Sequence, residues 1–377
     1  MRTQTSNRLG WRWALLALPL LTTLTFAAEV TDEFRLATKG YVYRFPRDHG
    51  SHDEFRTEWW YYTGHLVTAT GRQFGYQLTF FRRGVPREQI KTFPSQWSIS
   101  QLYLAHFAVT DLDSRRFRYA EKLSRAGLGK AGADSDRLHV WIDRWSADAQ
   151  SDPERHRLQA ADQDLALDLD LAPDKPPIVH GADGISRKGP SEAQASHYYS
   201  LTRMGAAGKL RIGHESFDVT GTGWMDHEFG SADLGEDVVG WDWFSLQLSD
   251  RTELMLYRLR RANGSADPVS SGTFIDKDGN TQHLPLKDLS LEPLSHWTSP
   301  TSHAVYPQRW RLTIPSRQLS LELVPLMAEQ ELTTTRSTQV TYWEGAISVS
   351  GTVQGKAMEG QGYMELTGYA ERFLKKL

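Results

Sequence analysis

The stretch Leu165-Ala166-Leu167-Asp168-Leu169-Asp170-Leu171 places leucine at every second position with small or acidic residues between. Successive side chains on a strand point to opposite faces, so this is a strand with one face on a core and the other in water. The same period of two extends outward in both directions. Trp60 to Val67 followed by Phe74 to Phe81, joined through Thr68-Ala69-Thr70-Gly71, predicts a hairpin. Trp241 to Leu248 followed by Leu254 to Leu259, with Ser249-Asp250-Arg251 between, predicts another. Further pairs fit Leu102 to Asp111 with Arg116 to Ala120, Leu210 to Ile212 with Phe217 to Gly221, Arg309 to Ile314 with Leu319 to Val324, and Val340 to Val349 with Gly362 to Gly368. No long stretch has a period of 3.6. The fold class expected is all-β, and many short strands at this spacing predict a sandwich or a barrel.

The two tryptophan-led hairpins are alike beyond their period. Glu58-Trp59-Trp60-Tyr61 returns through Phe80-Phe81-Arg82-Arg83-Gly84, and Trp241-Asp242-Trp243-Phe244 returns through Tyr257-Arg258-Leu259-Arg260-Arg261. Each aromatic strand comes back to a basic end, which predicts a degenerate tandem repeat. The expected division is a leader at residues 1–27, an N-terminal domain at 28–230 and a C-terminal domain at 231–377. About 350 residues also exceed the roughly 250–300 at which single cores divide. Pro173 to Ser196, rich in Pro, Gly, Ser and charge, predicts a long loop of the kind that serves as a lid.

The leader is expected because Arg2, Arg8 and Arg12 precede and enter an apolar run from Trp13 to Phe26, followed by Ala27-Ala28 and Glu29. The run is short for a membrane span, which needs roughly 20 apolar residues. The expected location is therefore periplasmic or secreted, after cleavage. Loss of the leader removes three arginines and no acid, moving the formal charge from -3 to -6. An acidic chain is a poor partner for nucleic acid. With no cysteine in the sequence, disulfides, thiolate nucleophiles and cysteine metal sites are excluded. Eleven of the 13 tryptophans follow the leader, a density that suits a cavity lined with rings.

The candidate chemistry lies in Ser196-His197-Tyr198-Tyr199 and Gly223-Trp224-Met225-Asp226-His227-Glu228. Strand alternation puts Trp224, Asp226 and Glu228 on one side of one strand, and His197 with Tyr199 on one side of the other. If the two strands are neighbours, these groups can converge. A carboxyl held between rings loses hydration and its pKa rises, which makes Asp226 a proton donor near neutral pH, with His197 orienting it or handling a water proton. The competing reading is a strand-end turn whose polar groups satisfy one another. Trp60, Tyr62, His106, Glu228, Trp241 and Trp243 are the expected ligand-binding residues. His49 and His52, three apart in a glycine-containing loop, are followed by no clear third ligand, so neither metal nor cofactor is expected. No G-x-S-x-G occurs and Gly221-Thr222-Gly223 opens no helix, which excludes the usual serine hydrolase and phosphate loop. Asp226 and Glu228 leave a glycoside hydrolase as a minor alternative.

Glu58-Trp59-Trp60-Tyr61-Tyr62-Thr63-Gly64, Ala105-His106-Phe107-Ala108, Ser196-His197-Tyr198-Tyr199-Ser200, Gly223-Trp224-Met225-Asp226-His227-Glu228-Phe229-Gly230 and Gly240-Trp241-Asp242-Trp243 together resemble the AttH and carotenoid 1,2-hydratase family. Tyr342-Trp343-Glu344-Gly345 and Gly362-Tyr363-Met364-Glu365-Leu366-Thr367-Gly368-Tyr369 are similar to its C-terminal half. The resemblance implies two lipocalin-like antiparallel β-barrels in tandem and a long hydrophobic ligand, lipid or isoprenoid. It also implies hydration of an isoprenoid double bond, carried by a histidine-x-tryptophan and a tyrosine-x-aspartate that fall here on His197, Tyr199, Trp224 and Asp226. Both ring types differ from that pattern. The secreted branch implies the alternative of a non-catalytic adaptor or carrier for an ABC transporter permease of the lipoprotein-export type.

Overall fold

The computed structural model describes residues 34–86, 99–150 and 154–373; the expected leader lies outside them. The first half supplies β1 (Thr57–Thr68), β2 (Gln73–Gly84), β3 (Gln101–Asp111), β4 (Arg116–Arg125), β5 (Ala131–Ala133), β6 (His139–Ile142) and β7 (Trp145–Gln150). It continues with β8 (Arg155–Ala161), β9 (Leu165–Pro173), β10 (Ile178–Val179), β11 (Ser186–Arg187), β12 (Ala195–Ile212) and β13 (Glu215–Gly230). The second half supplies β14 (Val238–Leu248), β15 (Glu253–Arg261), β16 (Ser271–Ile275), β17 (Thr281–Pro285), β18 (Ser290–Pro293) and β19 (His296–Thr298). It ends with β20 (Val305–Pro307), β21 (Trp310–Ile314), β22 (Leu319–Pro325), β23 (Glu331–Thr333), β24 (Thr341–Val353) and β25 (Lys356–Thr367).

The first sheet runs β4-β3-β2-β1-β13-β12-β9-β8-β7-β6-β5 and closes nearly into a barrel; the second runs β17-β16-β15-β14-β25-β24-β22-β21-β18 as a half-barrel. Both orders follow one plan: a meander, then the two long strands of the copy's last hairpin, then the shorter strands. The long loop expected at Pro173 to Ser196 carries the two-residue strands β10 and β11, both pairing with β12. The two copies share a local device as well. Gly208 of β12 and Gly351 of β24 both sit at φ +157°, where a Cβ would come within 2.1 Å of the carbonyl oxygens of Asp168 and Ser320 respectively. Each long strand thus crosses its neighbour at a place only glycine fits.

Alternation along each strand divides inside from outside. On β1, Trp60, Tyr62 and Leu66 enter the first barrel, where Phe80, Phe107, Trp145 and Leu169 join them in one buried cluster. Phe244, Trp310, Leu323 and Trp343 do the same in the second. Burying each large apolar side chain stabilises by about 1.5–3 kcal/mol, so these two clusters hold the sheets closed. Trp60 and Tyr62, expected against a ligand, lie within the first of these clusters. The opposite faces meet between the sheets: Tyr61, Tyr198, Trp224, Trp243, Tyr257 and Tyr363 form a third cluster, ringed by half-buried Trp59, Leu234, Trp241 and Leu326. His106 also belongs to this seam, its Nδ1 2.8 Å from the Tyr342 hydroxyl and its Nε2 2.9 Å from Ser337 Oγ. Burial pushes its pKa down to about 3, so it is a neutral bridge between the two halves rather than a cavity group.

Candidate active site

Register decides what surrounds Asp226. Strand β13 lies between β1 and β12, with Asp226 opposite Tyr61 on one side and Ser200 on the other. Facing partners share a side, so Tyr61, Ser200, Asp226 and Trp224 look into the seam. His227 is opposite Tyr199, and His197 is opposite Phe229. Those residues look the other way. Trp224 and Asp226 therefore come together as expected, whereas His197 and Tyr199 stand behind the sheet and cannot touch Asp226. The physical reason is a one-residue phase in a period of two: Tyr198 and Ser200, not His197 and Tyr199, hold the side-chain positions beside the acid. His197 packs against Tyr41 at 4.4 Å between ring centres, and burial lowers its pKa to about 4.

Asp226 is 3% exposed. Its Oδ1 accepts hydrogen bonds from Trp224 Nε1 at 2.7 Å and from the Ser200 hydroxyl. Two donors thus meet on one oxygen, and the Tyr198 hydroxyl also bonds the carboxyl. Burial raises the pKa to about 7, against the stabilising pull of Ser200, Trp224 and Tyr198 on the charged form. Tyr198 accepts from Trp243 Nε1 at 3.0 Å, which ties the first barrel to the second. Behind Ser200 stands buried His180, 2.6 Å from the serine oxygen and 2.9 Å from Thr273 Oγ1. Burial lowers that imidazole to about 3, so it is neutral and passes hydrogen bonds on without adding charge.

The second barrel presents a matching acid. Glu365 is opposite Trp243 on β14 as Asp226 is opposite Tyr61 on β1, and Glu344 is opposite Glu365 as Ser200 is opposite Asp226. Glu365 Oε1 accepts from Trp241 Nε1 at 2.9 Å and from Thr367 Oγ1 at 2.9 Å, and burial lifts it to about 7. Each copy thus pins one carboxyl oxygen with an indole N–H and a hydroxyl. Glu344 accepts from the Tyr61 hydroxyl across the seam, and its Oε2 is buried without a partner. Like charges directly opposite on a sheet repel, and burial together with Glu365 holds Glu344 well above the usual carboxylate range. Glu228, on the same side as Asp226, pairs with Lys188 Nζ at 2.7 Å and accepts from Ser196.

Trp241, Trp243 and Glu228, expected to bind a ligand, stand at the seam, and the sequence pattern does not single out Tyr61, Tyr198, Ser200, His180, Glu344 and Glu365. The repeat was the available signal: aligning the copies would have put Glu365 on Asp226. A surface hollow of about 770 Å³ lined by Trp141, Asp168 and Lys209 includes none of these carboxyls.

A nearly closed barrel and a half-barrel in tandem, with carboxyls held above their ordinary range where the two sheets meet, define a double-barrel protein. The chain belongs to the AttH-like family, whose sequence profile matches residues 36–369. It is 35% identical to an AttH protein of known crystal structure from Nitrosomonas europaea, with a TM-score of 0.80 over 89% of this chain and 100% of that one. The tandem barrels are of the lipocalin-like kind. The fold is shared with kievitone hydratase from Nectria haematococca, at 16% identity, TM-score 0.67, and coverage of 90% of this chain and 97% of that one. Among curated proteins, the dehydratase asqC of Emericella nidulans is 22% identical over 216 residues, 56% of this chain. The matched part spans only 60% of that relative's length.

The raised Asp226 has a measurable sign. An unfolded aspartate releases its proton at about pH 4, whereas this one keeps it to about pH 7. The folded state binds more protons in that window, so the Asp226 contribution to stability is full below about pH 4 and is lost as pH rises toward about 7. The stability of the parent chain relative to Asp226→Asn is expected to fall across that interval, and infrared difference spectra at about pH 6 to show a protonated carboxyl missing from the variant. Identical carboxyl spectra would contradict a neutral Asp226.

Proposed function

We propose that this chain is a hydro-lyase that adds or removes water at a double bond of a long apolar molecule, lipid or isoprenoid, bound in the seam between the barrels of a periplasmic protein. The observation that carries the reading is Asp226: a buried acid, protonated near neutrality, with Oδ1 held by Trp224 and Ser200, set among aromatic rings. The hydratase and dehydratase relatives support the reaction class.

In the hydration direction Asp226 gives its proton to an alkene carbon, leaving a carbocation at the neighbouring carbon. The ring faces of Trp224, Trp243 and Tyr61 stabilise that cation by about 0.5–2 kcal/mol per contact. Trp224 and Ser200 already point hydrogen bonds at Oδ1, so the new carboxylate is stabilised without rearrangement. Water adds to the cation and releases a proton to the ionised fraction of Glu365, whose pKa near 7 suits it as a base. Elimination runs the same steps backward. Entry requires the half-buried Trp59, Trp241, Leu234 and Leu326 to part. Glu228 is engaged by Lys188 and shares a strand with Asp226, which disfavours the glycosidase alternative.

The test is incubation of the purified chain with isoprenoid and fatty alkenes and their tertiary alcohols in isotope-labelled water. Incorporation of the heavy oxygen into product, or its loss from labelled alcohol, is expected. No exchange across short and long members of both series would reject the proposal.

A further inference from the structure

Behind the β12–β13 ladder, at the mouth of the first barrel, lies a buried polar chain that the proposed reaction does not use. Its anchor is Glu58, which contacts His52 Nδ1 and His227 Nε2 at 2.8 Å each and accepts from Arg82 Nε at 2.9 Å. Burial alone would raise Glu58, but Arg82, His227 and His52 hold it well below the usual carboxylate range, so it is ionised and only accepts. His227, kept neutral by burial with a pKa of about 4, therefore donates from Nε2 and accepts at Nδ1. The Tyr199 hydroxyl stands 3.0 Å from that Nδ1 and 3.0 Å from the Asp48 carbonyl oxygen. Whichever of the two takes its proton, the Tyr199 oxygen is left to accept from His49 Nδ1 at 2.7 Å. The polarity of the chain thus makes Nδ1 the donor of His49 and turns its Nε2 toward Glu154.

That nitrogen is fully buried and makes no hydrogen bond. Glu154 Oε1 stands 2.8 Å away but off the direction of the ring nitrogen. The same oxygen is 3.3 Å from His156 Nε2, and His156 Nδ1 is 3.0 Å from the Tyr62 hydroxyl. Both imidazoles are therefore oriented through their rear nitrogen by a buried tyrosine, the outer-shell arrangement of metal-ligating histidines.

We infer that His49 Nε2, His156 Nε2 and Glu154 Oε1 form a binding site for one divalent transition-metal ion, zinc by the ligand set. Ligand atoms about 2.0–2.1 Å from a tetrahedral zinc lie about 3.3 Å apart, and the three atoms here fall within 4.8 Å of one another. Two imidazoles and a carboxylate select zinc and its neighbours over magnesium or calcium. Glu154 has its side chain 44% exposed, so the remaining position opens to solvent. The adjoining trio His52, Glu58 and His227 has similar spacing, but Arg82 already supplies its positive charge, and His52 is clamped between Asp48 and Glu58. A second cation there meets repulsion.

The test uses the purified chain after chelation, titrated with zinc and with cobalt as a spectroscopic stand-in, with no activity readout. One zinc per chain is expected, and visible absorption bands of a low-coordinate nitrogen and oxygen site with cobalt. Glu154→Ala, at an exposed side chain whose loss leaves the circular dichroism unchanged, is expected to abolish the cobalt bands. Tyr62→Phe is expected to weaken zinc by roughly 10- to 100-fold. Less than one zinc per chain, or unchanged binding in Glu154→Ala, would overturn the site and leave His49 and Glu154 as an ion pair only.

Discussion

Asp226→Asn is expected to lower turnover by roughly 10²–10⁴-fold, the usual contribution of a positioned general acid, while affinity for substrate changes little. Asparagine keeps the size of the side chain and an oxygen to accept from Trp224 and Ser200, so the pinned half of the group survives. What it lacks is the labile proton. The substitution separates two readings of the seam. If the buried carboxyl only fills space between barrels, the amide serves as well and turnover persists; if it protonates substrate, binding remains and product vanishes. Steady-state kinetics on whichever substrate shows isotope exchange, with tryptophan quenching for affinity, reads both. Turnover within about threefold of the parent would remove Asp226 from the mechanism.

The largest effect on stability is expected from Arg82→Met. Arg82 is fully buried and donates to Glu58 from Nε at 2.9 Å, and to the carbonyl oxygens of His52 at 2.9 Å and Phe55 at 2.7 Å. Methionine fills much of the volume but leaves the Glu58 charge with less compensation and both carbonyls unpaired. Removing one partner of a buried ion pair costs about 3–5 kcal/mol. Denaturant unfolding should show a lower midpoint at unchanged slope. A loss below about 1 kcal/mol would mean that His52 and His227 alone neutralise Glu58.

The strands were legible because burial on one face writes a period of two into sequence, as in Leu165 to Leu171 and in the hairpins led by Trp60 and Trp241. The likeness of those hairpins exposed the repeated strand order. The site was legible only in part. Trp224 and Asp226 were placed correctly relative to each other because they share a strand, and alternation within a strand needs no further information. Their neighbours were not, since pairing register is set by turns and core packing far from the motif. A phase difference of one residue exchanges His197 and Tyr199 for Tyr198 and Ser200. Glu344 and Glu365 lie more than 100 residues beyond Asp226, and their burial arises only when the outer faces of two sheets meet. The trio at the first barrel's mouth was half visible: His49 was noticed, but Glu154 and His156 reach it only through closure of that barrel.

The paired, half-pinned carboxyls have a consequence for how such a protein diverges. Because one polypeptide encodes both halves separately, a mutation alters one wall and leaves its counterpart untouched, a freedom closed to a symmetric dimer of identical subunits. The chain already displays it: aspartate stands at 226 where glutamate stands at 365, a reach longer by one methylene, about 1.5 Å. Substitution can therefore lengthen or remove one arm independently of the other without redesigning the scaffold.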